Sequence, residues 1–84
     1  MSLVQLESFV AVAQTAHVGR AARRLHVTQP PLSRRILSLE AELGVPLFER
    51  TPRGMRLTVP GERLLVHARA ILAAVQRARD DTRR

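Results

Sequence analysis

The stretch Leu25-His26-Val27-Thr28-Gln29-Pro30-Pro31-Leu32-Ser33-Arg34-Arg35-Ile36 decides the fold of this chain. Thr28 is a natural helix N-cap, and the two prolines after it have no N–H to leave unpaired in a first turn. With Thr28 as the cap, Gln29, Pro30 and Pro31 occupy the first three helical positions. The Thr28 hydroxyl then has no second- or third-position amide to bind and stays free for another partner. Pro30 also disfavours helical backbone at Gln29, which leaves open a start one residue later. Leu32, Ile36, Leu39 and Leu43 follow on one face, and Gly44 before Val45-Pro46 marks the end. Ser33, Leu37, Pro30 and Arg34 lie about 100° to 200° round the wheel from Leu32, facing away from any core. A hydroxyl, a guanidinium and apolar groups at the front of a helix suit base edges, thymine methyls and phosphates in a major groove. Arg35 falls elsewhere on the wheel and is placed to pair with Glu42 or to reach a duplex backbone.

Upstream, Leu25-His26-Val27 reads as a tight joint, with His26 suited to a left-handed backbone position. Before it, Val18 to Leu25 forms a short helix in which Ala21 and Ala22 allow a close crossing and Arg20, Arg23 and Arg24 face outward. A first amphipathic helix carries Leu3, Leu6, Val10 and Ala13 with Phe9 beside them and ends near Thr15. Downstream, Leu47 to Arg50 and Met55 to Leu57 read as two short strands joined through Thr51-Pro52-Arg53-Gly54. So small a hairpin must lean on the helices. It carries Arg53 at its tip and Arg50 at its base. Thr58 caps a last helix with Pro60 in its first turn and Glu62 near its positive end. There Leu64, Ala68, Ile71, Val75 and Ala78 recur in heptad-like spacing, widened by Leu65 and Leu72. That helix is too long for a small core to cover, so the seam is expected to join two copies of the chain.

The expected fold is mostly α: a three-helix core with a two-stranded wing over residues 1–58, then a dimerisation helix over 59–84. The helix-turn-helix occupies about residues 18–37 and the wing about 47–57. At 84 residues there is room for one small domain. All 14 basic residues are Arg against seven acids, a net charge of +7 that points to a polyanionic partner. That charge is unevenly spread. Residues 1–16 carry only Glu7, residues 17–58 carry eight Arg and three Glu, and residues 59–84 carry six Arg and three acids, giving −1, +5 and +3. With no Trp or Tyr and two Phe, stacking platforms for single strands are nearly absent. The lack of Cys excludes disulfides, zinc knuckles and thiol catalysis and permits a reducing compartment. No apolar run approaches a membrane span, and Glu7 and Gln14 break up any leader-like segment.

The run Ala21-Ala22, Leu25 to Arg34, Leu39-Glu40 and Leu43-Gly44-Val45-Pro46-Leu47-Phe48-Glu49-Arg50 resembles the amino-terminal winged helix-turn-helix of the LysR-type transcriptional regulators. Arg53-Gly54 and Thr58 to Gly61 are similar to that family's wing and linker-helix start, so the likeness covers residues 3 to about 80. It implies a bacterial, cytoplasmic transcription factor that binds double-stranded promoter DNA as a homodimer and is a tetramer at full length. It also implies a carboxyl-terminal effector-binding domain that these residues do not include. No cofactor is expected in the domain itself. The chain departs from the family pattern at His17, Val18 and Gly19, where Ser, Phe and Ser or Thr are usual, which shifts a phosphate contact towards Arg20. It departs again at Leu37, usually polar, and at Pro60, usually Ala.

With this arrangement, Gln29 and Ser33 are the candidates for base edges and Pro30 and Pro31 for apolar shape contacts. Arg34 is placed for a guanine or a phosphate. Arg50 and Arg53 are assigned to the backbone or minor groove, and Arg20 and Thr28 to phosphates. Leu64, Leu65, Ala68, Ile71, Leu72 and Val75 are assigned to dimerisation. The rival readings are an enzyme, a winged helix that binds protein, and a membrane-surface helix over residues 62–79. His17, His26 and His67 lack metal-ligand spacing, and no nucleophile elbow or phosphate-binding glycine loop occurs. The expectation is therefore binding without catalysis, and no metal.

Overall fold

A computed structural model describes residues 1–84. The element order is α1 (Leu3–Thr15), α2 (Val18–Arg24), α3 (Gln29–Leu43), β1 (Phe48–Thr51), β2 (Gly54–Leu57) and α4 (Val59–Thr82). Three short helices pack about a common centre, the antiparallel pair β1–β2 flanks them, and α4 returns across α1 and runs on beyond it. The long dimension of 46 Å against 25 and 20 Å is set by α4, whose 24 residues rise about 36 Å. No helix is long and apolar enough to cross a membrane.

Local sequence accounts for most boundaries. Ser2 and Gln5 close a capping box on α1: the Gln5 amide donates to the Ser2 hydroxyl at 3.1 Å and the Ser2 amide to the Gln5 side-chain oxygen at 2.8 Å. The α2–α3 joint uses His26 at φ 57°, in the left-handed region. Helix α3 starts at Gln29, the earlier of the two openings left by the sequence, and Thr28 caps it with no side-chain bond. Thr58 accepts from the Gly61 amide at 3.1 Å and donates to the Pro46 carbonyl at 2.7 Å, joining the start of α4 to the loop before β1.

The core consists of Leu6, Phe9, Ala11 and Val12 from α1, Ala21 and Ala22 from α2, Leu32, Ile36 and Leu39 from α3, Leu47 and Phe48 at β1, and Ala68 from α4. Phe9 and Phe48, the two aromatics, meet with ring centroids 5.4 Å apart. Leu43, expected on the buried face of α3, is exposed, because the helix outruns the elements packed against it. Arg35 does not pair with Glu42: it is half-buried and donates to the Ser8 hydroxyl at 3.4 Å, while Glu42 meets the amino group of Met1 at 2.8 Å.

Glu40 was not singled out from the sequence, yet it anchors the wing to α3. Its carboxylate accepts the Leu47 amide at 2.6 Å and the Phe48 amide at 3.4 Å, satisfying the backbone where β1 begins.

The expected division at residue 58 separates elements but not cores. Ala68 is fully buried, and Leu64, Leu65 and Leu72 are half-buried against the same cluster. The expected dimer seam therefore splits: its first half closes this chain's own core, and Ala68 has no surface left for a partner. Only Ile71 and Val75 of the assigned set are not drawn into that core. Close approach at the root of α4 depends on Gly61, where a β-carbon would collide with the Leu47 carbonyl oxygen and the Leu57 side chain. Gly61→Ala is expected to destabilise the chain by about 1–3 kcal/mol, the range for overpacking a filled contact, as a lower urea midpoint with unchanged m-value.

Candidate nucleic-acid interface

The front of α3 presents Thr28, Gln29, Pro30 and Arg34 exposed, with Pro31 and Ser33 half-buried beside them. The two prolines place Gln29 in the first turn, and the buried Leu32–Ile36–Leu39 face fixes which way that turn looks. Gln29 is further held by α2. Its carboxamide lies over Gly19, where a β-carbon would stand 3.1 Å from Gln Nε2. The absence of a side chain at Gly19 thus makes room for the candidate base-reading residue.

Between α2, the start of α3 and the wing lies an open cavity of about 380 Å³, lined by His17, Arg20, Arg23, Gln29, Arg50 and Thr51 among others. No acidic residue lines it. His17 is the N-cap of α2 and makes no side-chain capping bond. The Thr15 hydroxyl stands in this turn, 2.8 Å from the Ala11 carbonyl and 3.0 Å from the His17 carbonyl, and donates to one at a time.

The wing is held against this cavity by one backbone bond. The Met55 amide donates to the Ala16 carbonyl at 2.7 Å. Ala16 is itself left-handed at φ 60°, which turns its carbonyl towards the hairpin. Gly54 follows the turn at φ 121°, a conformation L side chains rarely adopt, and a β-carbon there would strike the Ala16 oxygen and the His17 ring. The register pairs Phe48 with Leu57, Glu49 with Arg56, Arg50 with Met55 and Thr51 with Gly54, leaving Pro52 and Arg53 as the turn. Arg50 therefore sits one pair from the tip and not at the base.

The three wing arginines differ in their partners. Arg56 is held by Glu49 at 2.6 Å, while Arg50 and Arg53 are in no ion pair. The same holds for Arg20, Arg23 and Arg34; Arg24 donates to Gln14 at 2.7 Å. Sequence reasoning placed Gly19 only as a departure from the family pattern at the start of α2 and gave Ala16 and Glu40 no role. The first is visible only through what lies over it, the second through a backbone angle, and the third through a bond to residues seven and eight positions ahead.

A helical hairpin with an exposed amino-terminal turn on its second helix, flanked by a two-stranded wing with free guanidinium groups, is the geometry of winged helix-turn-helix regulators. Residues 3–62 match the family described as "Bacterial regulatory helix-turn-helix protein, lysR family". The chain belongs to the LysR family. The HTH-type transcriptional regulator TfdT of Cupriavidus pinatubonensis is 51% identical over 93% of this chain and 34% of its own length. A solved CbnR DNA-binding domain–DNA complex superposes with TM-score 0.92 at 47% identity, covering 99% of this chain and 95% of that one. The BenM DNA-binding domain with catB site 1 DNA gives 0.95 at 38% identity, covering 99% and 93%. The chain thus has the fold of a LysR DNA-binding domain, and it spans about a third of the curated relative TfdT. Those relatives carry names of transcriptional regulators.

Within this LysR domain the Ala16–Gly54 contact is expected to set the position of the wing. Gly54→Ala should speed hydrogen exchange at the Met55 amide and shift the His17 ring resonances while the α3 amides stay protected. Unchanged exchange at Met55 would show that the wing is held by other contacts.

Proposed function

We propose that this chain binds double-stranded DNA in a sequence-specific manner as a homodimer at an inverted-repeat promoter site. The carrying observation is convergence: Gln29, in the exposed first turn of α3, lines the same acid-free concavity as Arg20, Arg23 and Arg50, and Thr28, Pro30 and Arg34 are exposed beside it on α3 or at its cap. A major groove admits an α-helix, and the amino-terminal residues of the second helix of a helix-turn-helix reach the base edges. In this arrangement Gln29 and Ser33 meet bases, and Pro30 and Pro31 fit the groove wall. Arg34 grips a guanine or a phosphate. Arg50 and Arg53 follow the backbone into the minor groove, and Arg20 and the uncommitted Thr28 hydroxyl take phosphates. The phosphate contacts supply affinity and the front of α3 supplies choice.

Dimerisation is assigned to the part of α4 that the core leaves uncovered. Ile71 is 36% exposed and Val75 half-buried, with Leu72 at the edge of the body, and past them the helix carries no buried residue. Two domains joined there present two α3 helices to successive major grooves. That α4 also seals the core means each reading head is coupled rigidly to the dimer axis. In this reading the chain catalyses no reaction, works in the bacterial cytoplasm and belongs to a regulator whose remaining part senses a small molecule and completes a tetramer.

Arg53→Ala should weaken binding to every duplex and lower the slope of log affinity against log salt by about one. An unchanged slope would remove the wing from the interface. Substitution of Gln29 or Ser33 by Ala should cost about 1–3 kcal/mol at particular base pairs only, read by competition among single-base variants of a site selected from random duplexes. Ile71→Asp should halve the mass measured by sedimentation while the helical circular dichroism persists.

A further inference from the structure

The most exposed large apolar side chain before α4 is Leu37, at 64%, and it stands on α3 itself. It lies four residues beyond Ser33 and three beyond Arg34, the spacings that bring helical side chains onto one face. Long helical side chains lean back over the preceding turn, so Leu37 covers the surface next to Ser33 and does not point away from it. A second observation gives the same direction. Ser33, Leu37, Glu40 and Arg50 border one concavity of about 180 Å³ whose apolar wall is made by Val18, Ile36, Phe48 and Met55, and the Glu40 carboxylate is already committed to the Leu47 and Phe48 amides. Leu37 therefore belongs to the side of the helix shared with the wing and the candidate base-reading residues, with no apolar neighbour covering it.

We infer that Leu37 is a specificity residue that packs on the 5-methyl group of a thymine beside the base pair faced by Ser33. The inference rests on the DNA-binding reading above and deepens it. The occupant follows from continuity with that interface and from chemistry. The thymine methyl is the apolar group among the base-edge features of the major groove, and an uncharged branched side chain offers it contact area but no hydrogen bond. Four residues of helix rise about 6 Å, and one base step is about 3.4 Å, so the thymine stands one or two steps from the pair read by Ser33. A leucine at this place gains nothing from phosphate and repels nothing. Its effect on binding is confined to sites that carry the methyl.

The test uses the whole chain on a duplex selected from random sequence, compared with duplexes in which single thymines are replaced by deoxyuridine, which removes the methyl and leaves every hydrogen-bonding group. In each half-site, one replacement within two pairs of the position sensitive to Ser33→Ala should weaken binding about fourfold, the worth of one methyl group taken out of water. Leu37→Gln should abolish that difference and keep the salt slope. Because Leu37 is exposed, the variant should unfold at the same urea midpoint. Equal deoxyuridine penalties in the parent and in Leu37→Gln would overturn the assignment, as would a loss in Leu37→Gln shared by all duplexes regardless of thymine. Failure of the unaltered chain to bind any duplex would instead defeat the DNA-binding reading beneath it, a result distinct from both.

Discussion

The bond from the Met55 amide to the Ala16 carbonyl is the constraint on which the rest of the interface depends. It joins β2 to the end of α1, and through them it fixes where Arg50 and Arg53 stand relative to α2 and α3. Two backbone conditions make it possible. Ala16 must adopt a left-handed conformation that costs a residue with a β-carbon roughly 1–2 kcal/mol, and Gly54 must lack a side chain. Neither condition adds anything to the core. They bring a hairpin too small to be stable alone to the place where its Arg50 lines the concavity beside Gln29.

A second tie acts from the other side. Glu40 accepts two amides at the start of β1, so the same helix that carries Gln29 and Ser33 at its front holds the wing with its last turn. Reading helix and wing are thereby parts of one rigid unit, and α4 is added to it through Gly61 and Ala68. The core is small, with 12 buried apolar residues, and each helix contributes to it. A domain of this size therefore has little capacity to absorb a change in the angle between α3 and α4 without losing core contacts.

Charge is distributed with the same economy. The acids near the wing are committed, Glu49 to Arg56 and Glu40 to backbone amides, which leaves Arg50, Arg53, Arg20, Arg23 and Arg34 unpaired towards the groove side. Net charge described the class of partner. Pairing selects which guanidinium groups are available to it.

Much of this was legible in the residues alone. Thr28 with the two prolines, the Leu32–Ile36–Leu39 stripe, the turn at Pro52-Arg53-Gly54 and the cap at Thr58 are local signals, and they specify helices, hairpin and the exposed front of α3 because caps, periodicity and proline act over a few residues. Periodicity on α4 was equally legible as a stripe but not as to what covers it. Leu64, Ala68 and Leu72 would read the same whether they met a second copy or α1 of the same chain, and only the path of the chain decided that they close its own core. Arg35 and Glu42 were compatible by charge and are separated by the packing of α1 against α3. The sequence by itself determined the elements and the chemistry each one exposes. The tertiary structure decided which of them meet, because the Ala16–Met55, Glu40–Leu47 and Gly61–Leu47 contacts join residues whose proximity no local preference encodes.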